Sequence, residues 1–230
     1  MEFKDRKKDI LDILYANGRV SVASLAKTLF VSEMTIRRDL SELEKKGVLK
    51  RYRGGAVLTA VSNEMPIARR FFVDEDKKIS LAKRAVKFLE DDITVFIDSS
   101  STCQYIIPYL SRFKNITLIT NSVNALLIAS KSQIPSILIG GEYCDKDMCF
   151  VGSIAEQNAG QFNVDLAFFS AMGLSEDGII SDPNIDQSMI RKIIMKHSKK
   201  NIFLFEEGKL HQKYFYTICH KNDVDDVITV

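Results

Sequence analysis

The sequence predicts an α/β chain in two unlike parts: a small, mainly helical head, then a larger domain built on a largely parallel sheet. Three observations carry this expectation. Helical apolar spacing dominates residues 1 to 47, an alternating stretch with paired glycines follows, and from about residue 76 short apolar runs alternate with helical stretches. At 230 residues, 46% hydrophobic and 27% charged, the chain can build a packed core in each part and lacks the composition of a disordered protein.

The first helix is expected over 5–16, where Ile10, Leu11, Ile13 and Leu14 share one side and Asn17-Gly18 forms a stop. Ser21 is a good N-cap for a second helix carrying Leu25, Ala26 and Leu29. Ser32 caps a third, which runs to Lys46 and ends at Gly47. VLKRYRGGAVL (48–58) alternates and turns at Gly54-Gly55, as a two-stranded ribbon does. Helix, helix, tight turn, helix and ribbon outline a winged helix-turn-helix over residues 1–58. Residues 59–75, with Asn63 and Pro66 and no periodicity, read as a linker to a domain spanning 76–230.

In that larger domain the expected strands are ITVFID (93–98), ITLIT (116–120), SILIG (136–140), DLAFFSA (165–171), NIFLFE (201–206), YTICH (216–220) and DVITV (226–230). Helices are expected near 102–111, 122–131, 152–159 and 186–199. Buried strands separated by helices require a sheet covered on both faces.

Net charge is +2, but residues 1–55 carry 13 Lys+Arg against 8 Asp+Glu, whereas the remainder carries 19 against 22. A basic head on a slightly acidic body points to a polyanion partner. The apolar runs are strand-sized, so a cytoplasmic protein is expected. Cys103, Cys144, Cys149 and Cys219 lack zinc-type spacing, and His197, His211 and His220 are isolated, so no metal, cofactor or catalytic set is expected.

The third helix carries an unusual pair, Arg37-Arg38. At about 100° per residue, Ile36, Leu40 and Leu43 form the buried stripe, while Met34, Arg38, Ser41 and Lys45 lie opposite and Arg37 sits on the shoulder. Val31 and Ile36 can staple the Ser32 cap. An outward Met-Arg-Ser stripe with a lateral arginine suits a major groove, the stripe meeting base edges and the shoulder meeting phosphate. The alternative is a solvated face paired with Asp39 and Glu42.

LAKTLFVSEMTIRRDLSELEKKGVLKRYRGGAV resembles the N-terminal domain of the DeoR family of bacterial transcriptional regulators, with Ser32 to Leu40 as its core and Gly54-Gly55-Ala56 after the wing. The resemblance implies double-stranded operator DNA as partner and DNA contacts from Ser21, Ser32, Glu33, Met34, Thr35, Arg37, Arg38, Ser41, Lys45, Arg51 and Arg53. Arg53 stands where the family usually has histidine, which adds charge to the wing.

The resemblance continues through FIDSSST, ITNS, LIGGEY, FVG and FLFEEGKL. It implies a sensor domain similar to ribose-5-phosphate isomerase, a phosphorylated sugar effector, and a homo-oligomer, dimer or tetramer. Asp98, Ser99, Ser100, Ser101 and Thr102 would supply hydroxyls and N–H groups after a strand, with Asn121, Gly140 and Gly141 after others and Lys209 as a point charge. The expected function is repression of a sugar-metabolism operon, relieved by the effector. A sugar-phosphate isomerase with Asp98 or Glu206 as base, and a body serving only oligomerisation, are the alternatives. Ser100 replaces a family glycine, Glu206-Glu207 add negative charge near Lys209, and the family continues for about a strand and a helix past the position of Val230, which leaves C-terminal truncation open.

Overall fold

The computed structural model describes residues 6–7, 9–11, 13–14, 19–45, 49–57, 67–71 and 73–230. The chain divides into two units, Met1–Val73 and Asp74–Val230.

In the first unit the described residues between 6 and 14 are helical, and Ile10, Leu11 and Leu14 are buried. The stop at Asn17-Gly18 lies outside the described residues. Strand β1 (Arg19–Ser21) precedes helix α1 (Val22–Thr28), whose first turn is capped by Ser21 Oγ accepting from Ser24 N at 3.0 Å. Helix α2 (Glu33–Lys45) is capped by Ser32, whose Oγ accepts from Thr35 N at 3.2 Å. Its end at Lys46-Gly47 also falls outside the described residues.

Strands β2 (Lys50–Tyr52) and β3 (Gly55–Val57) form the expected wing, but β3 also pairs with β1, so the ribbon has three strands rather than two. Three residues, Arg-Val-Ser, are too few for alternation to reveal a strand. Gly55 sits where the strands meet: a Cβ there would lie 2.1 Å from Val20 O. Ile36, Leu40 and Leu43 pack with Leu25 and the first helix in one core, and Val31 packs against it as the staple requires.

Within the stretch read as linker, Ile67–Arg70 forms one helical turn with Ile67 buried, and residues 59–66 lie outside the described ones. A single turn is too short to show a helical period.

The second unit opens with α3 (Glu75–Ala85) and contains β4 (Thr94–Ile97), β5 (Thr117–Thr120), α4 (Val123–Lys131), β6 (Ser136–Leu138), the hairpin β7 (Glu142–Cys144) and β8 (Cys149–Val151), and α5 (Gly152–Ala159). There follow β9 (Val164–Phe169), β10 (Gly173–Leu174), β11 (Ile179–Asp182), α6 (Ile185–Lys196), β12 (Ser198–Phe205), β13 (Tyr216–His220) and β14 (Asp226–Thr229). Six strands form one parallel sheet in the order β14-β12-β9-β4-β5-β6. Strand residues alternate between two cores: Val95, Ile97, Phe168 and Leu204 join α3 and α4 on one face, and Phe96, Phe169, Phe203 and Phe205 join α5 and α6 on the other. Each fully buried Phe contributes roughly 1.5–3 kcal/mol.

YTICH departs from expectation. It forms β13 in a separate antiparallel sheet, β10-β11-β13. The connection from β12, residues 206–215, is too short for the crossover a parallel neighbour requires. The expected helix near 102–111 is a 3-10 turn, Cys103–Ile106, running into one α-turn, Ile107–Leu110, with Pro108 near its start. Cys144 faces Cys149 across the β7–β8 hairpin, and both are free thiols.

Candidate functional site

On the first unit, α2 turns Asp39 inward, where its carboxylate accepts from Arg6 Nε at 2.6 Å and Nη2 at 3.3 Å. Asp39 is therefore no partner for the arginine pair. Arg37 Nη2 reaches Glu33 at 3.0 Å and Arg38 Nε reaches Glu42 at 3.6 Å, both as i, i+4 pairs in contact with solvent. Such pairs are worth a few tenths of a kcal/mol, so both arginines can exchange a carboxylate for a polyanion at little cost. Met34 is 75% exposed, Glu33 beside it on α2 is exposed, and so are Arg51 and Arg53 on the wing. Arg51 N donates to Glu44 Oε1 at 2.8 Å, tying the wing strand to α2. Ser21, Ser32 and Thr35 serve the caps, with Ser32 Oγ 2.9 Å from Thr35 Oγ1. Ser41 is half-buried, and the side chain of Lys45 lies outside the described residues.

In the second unit, β4 and β9 are neighbours whose onward connections leave in opposite directions, β4 toward β5 and β9 toward β12. Open α/β sheets hold ligands at the carboxyl ends of such a pair. Asp98 follows β4 and Ser170 follows β9. Asp98 Oδ2 accepts from Ser170 N at 3.2 Å and Arg191 Nε at 2.9 Å, and Oδ1 accepts from Ser100 N at 3.0 Å and from the Ser100 hydroxyl. Ser100 Oγ in turn accepts from Cys103 N at 3.2 Å. This Asx-type turn locks the Asp98–Cys103 loop and spends both polar groups of Ser100 within it. Arg191 also donates through Nη1 to Asp182 at 3.0 Å and through Nη2 to Gln187 Oε1 at 3.2 Å. All three members of the Asp98–Arg191–Asp182 triad are buried. Burial by itself would discharge Arg191, but Asp182 and Asp98 outweigh it and hold the guanidinium above its ordinary pKa.

A second ionic group adjoins the first through Ser170. Lys209 Nζ donates to Ser170 Oγ at 2.9 Å and Thr102 Oγ1 at 3.2 Å, and lies 2.8 Å from Glu206 Oε2. Thr102 donates to Glu206 Oε1 at 2.6 Å, and Lys78 Nζ stands 3.8 Å from the same oxygen. Burial pushes the Glu206 carboxyl up, but Lys209, Thr102 and Lys78 together bring it to about 2. Because the folded value lies below the ordinary 4.5, this group stabilises the unit above about pH 4.5 and loses that contribution as pH falls toward 2. The full effect is of order 3 kcal/mol at ~1.4 kcal/mol per pKa unit. Glu206→Gln should therefore flatten the fall in unfolding free energy between pH 5 and 2 relative to the parent; parallel denaturation profiles for the two would refute the assignment.

Two lysines serve one carboxylate at the Glu206 end, whereas one arginine serves two carboxylates at the Asp98 end. The network is thus net positive at one end and net negative at the other. Both carboxylates considered as bases are already engaged: Asp98 accepts from Arg191, and Glu206 accepts from Thr102 beside two lysines.

The fold brings Asp98, Thr102 and Lys209 together, and Ser99 joins through its hydroxyl to Gln187 Oε1 at 3.2 Å. Ser101 is buried in the same loop. Asn121, Gly140 and Gly141 stand outside this network. Asn121 Nδ2 donates to Phe150 O at 3.0 Å, and its buried Oδ1 has no hydrogen-bond partner among the described residues. At Gly141 a Cβ would lie 2.6 Å from Ala155 Cβ, so close packing of α5 requires this glycine. Gly140 has open space around it. Sequence reading missed Lys78, Ser170, Asp182, Gln187 and Arg191. One signal was readable: Gln187 and Arg191 fall on the inward stripe of α6 with Ile190 and Ile194, where charge needs a buried partner.

A capped helix presenting arginines beside a basic wing defines a DNA-binding regulator of the winged helix-turn-helix class. Residues 6–61 match the DeoR-like helix-turn-helix domain, and residues 73–229 match the DeoR C terminal sensor domain. The chain belongs to the DeoR family of transcriptional regulators. It is 30% identical over 230 residues to the lactose phosphotransferase system repressor of Staphylococcus epidermidis, covering 98% of this chain and 91% of the relative. The transcriptional repressor GlcR of Bacillus subtilis is 29% identical over 228 residues, covering 98% and 88%. Among solved structures, ribose 5-phosphate isomerase A of Methanocaldococcus jannaschii matches 60% of this chain and 55% of its own at 22% identity and TM-score 0.45. The full-length sorbitol operon regulator SorC of Klebsiella pneumoniae matches 100% and 96% at 11% identity and TM-score 0.43. Both of these relatives carry the names of repressors. No helix among the described residues is long and apolar enough to cross a membrane.

Proposed function

We propose that the protein represses a sugar-utilisation operon and releases its operator when a phosphorylated sugar enters the crevice between the ends of β4, β9 and β12. The carrying observation is the placement of Lys209, only 21% exposed, beside Thr102 and Ser170 at the switch point of the sheet. Lys209 and the two hydroxyls suit a phosphate, and the acidic end around Asp98 and Asp182 suits the hydroxyls of a polyol. The names of the two repressors that resemble the chain support the same reading.

A helix-turn-helix normally reads two half-sites as a symmetric dimer, so the working form is a homo-oligomer. The effector can shift operator affinity only by the difference in its affinity for the two states. Thermal shifts with a panel of sugar phosphates and their unphosphorylated sugars test the sensor. Gel shifts on the promoter beside the gene test the repressor. A panel with no stabilising phosphate ester would remove the effector, and no retarded complex would remove the operator.

On DNA, Arg38→Ala and Met34→Ala should change which bases are preferred, at about 1–3 kcal/mol of discrimination for Arg38. Arg37→Ala and Arg51→Ala should weaken all sequences alike and lower the salt slope by about one. Binding titrations on specific and random duplexes at several salt concentrations separate the two pairs; identical behaviour of all four variants would refute the division.

A further inference from the structure

Phe30 stands in the turn between α1 and α2 with φ +54°, a left-handed conformation in which a bulky side chain is strained. The local hydrogen bonding explains the conformation: Val31 N donates back to Ala26 O at 3.1 Å and Leu29 N to Leu25 O at 2.9 Å, closing the helix end in the form that favours glycine at this position. Phe30 is also 94% exposed, so its ring gains almost nothing from the fold that would offset the strain. Folding alone would therefore favour glycine here, and an observed strained residue invites a functional account.

The surroundings indicate what covers the ring. Among the described residues of the first unit, the exposed large hydrophobics are Phe30, Met34 and Tyr52, which lie on the turn, on α2 and on the wing. Exposed Arg37 and Arg38 stand on α2, and exposed Arg51 and Arg53 on the wing. An exposed ring two residues before the cap of α2, on a unit whose helix and wing both expose arginines, suits a surface that is anionic overall and carries isolated apolar groups. Duplex DNA is such a surface, and the thymine 5-methyl is the apolar group its major groove displays.

We propose that Phe30 is a specificity-determining DNA contact, its ring laid against a thymine methyl at the edge of the half-site read by α2. The inference rests on the DNA-binding reading of this unit and adds a residue outside the recognition helix.

The test uses the full chain and duplexes it selects from a random library. Phe30→Gly should raise the melting temperature by a few degrees while weakening the selected duplex tenfold or more. Phe30→Asn, which also tolerates the left-handed conformation, should weaken it similarly. Replacing thymines one at a time by uracil should cost the parent severalfold at one position per half-site and cost Phe30→Gly nothing there. Unchanged affinity and selected sequence in Phe30→Gly would overturn the proposal. So would a uracil scan that affects both proteins equally, or loss of self-association by sedimentation, which would make the ring a protein contact. A parent chain that selects no sequence would remove the DNA reading itself, and the contact with it.

Discussion

Arg191→Met is expected to lower the unfolding free energy of the second unit by about 3–5 kcal/mol, because it leaves two buried carboxylates without their shared counter-charge. Asp98 and Asp182 each accept from a different edge of the guanidinium, at 2.9 and 3.0 Å, and neither has another cation within salt-bridge distance among the described residues. Methionine approximates the stem of arginine, so the loss reads charge rather than volume. Lysine should rescue poorly, since a single ammonium cannot serve both carboxylates in this fork geometry. The triple variant with Asp98→Asn and Asp182→Asn should recover much of the loss. Urea denaturation monitored on the full chain checks this; a loss below about 1 kcal/mol would mean that the triad is solvated in solution.

Lys209→Ala is expected to carry the largest functional effect, weakening a phosphorylated sugar about 10–100-fold through loss of a charge-assisted hydrogen bond. The unphosphorylated sugar should be nearly unaffected. The fold should survive, because Glu206 keeps Lys78 and Thr102 as partners. Calorimetric titration of both ligands into parent and variant checks it. An equal loss for both ligands would place the lysine elsewhere in recognition, and no loss would empty the proposed phosphate subsite.

Much of this molecule is legible in local sequence pattern. Ser21 and Ser32 cap the helices their spacing assigns to them, and Ile36, Leu40 and Leu43 form the dry stripe of α2. Capping and helical period act over a few residues, and a sequence displays them directly. Interactions between distant residues were not readable in this way. Asp39 looked like a partner for its arginine neighbours, yet it pairs with Arg6, thirty-three positions away. Ser170 and Lys209 became neighbours only through the order of β4, β9 and β12, which no window of sequence contains. Arg191 is illegible in the sequence because an arginine in an amphipathic helix is usually solvated, and only the carboxylates after β4 and at the end of β11 give it a reason to be inside.

The lysine that shares Glu206 with Lys209 lies in α3, the first helix the chain forms on entering the second unit. Its neighbour Lys77 reaches Glu207 at 3.1 Å, so two successive lysines of α3 hold two successive glutamates of the Lys209 loop. A phosphate that draws Lys209 away from Glu206 would shift that carboxylate's share of charge onto Lys78 and tighten this double tether. Occupancy of the Lys209 loop would then be felt at α3, within the second unit itself.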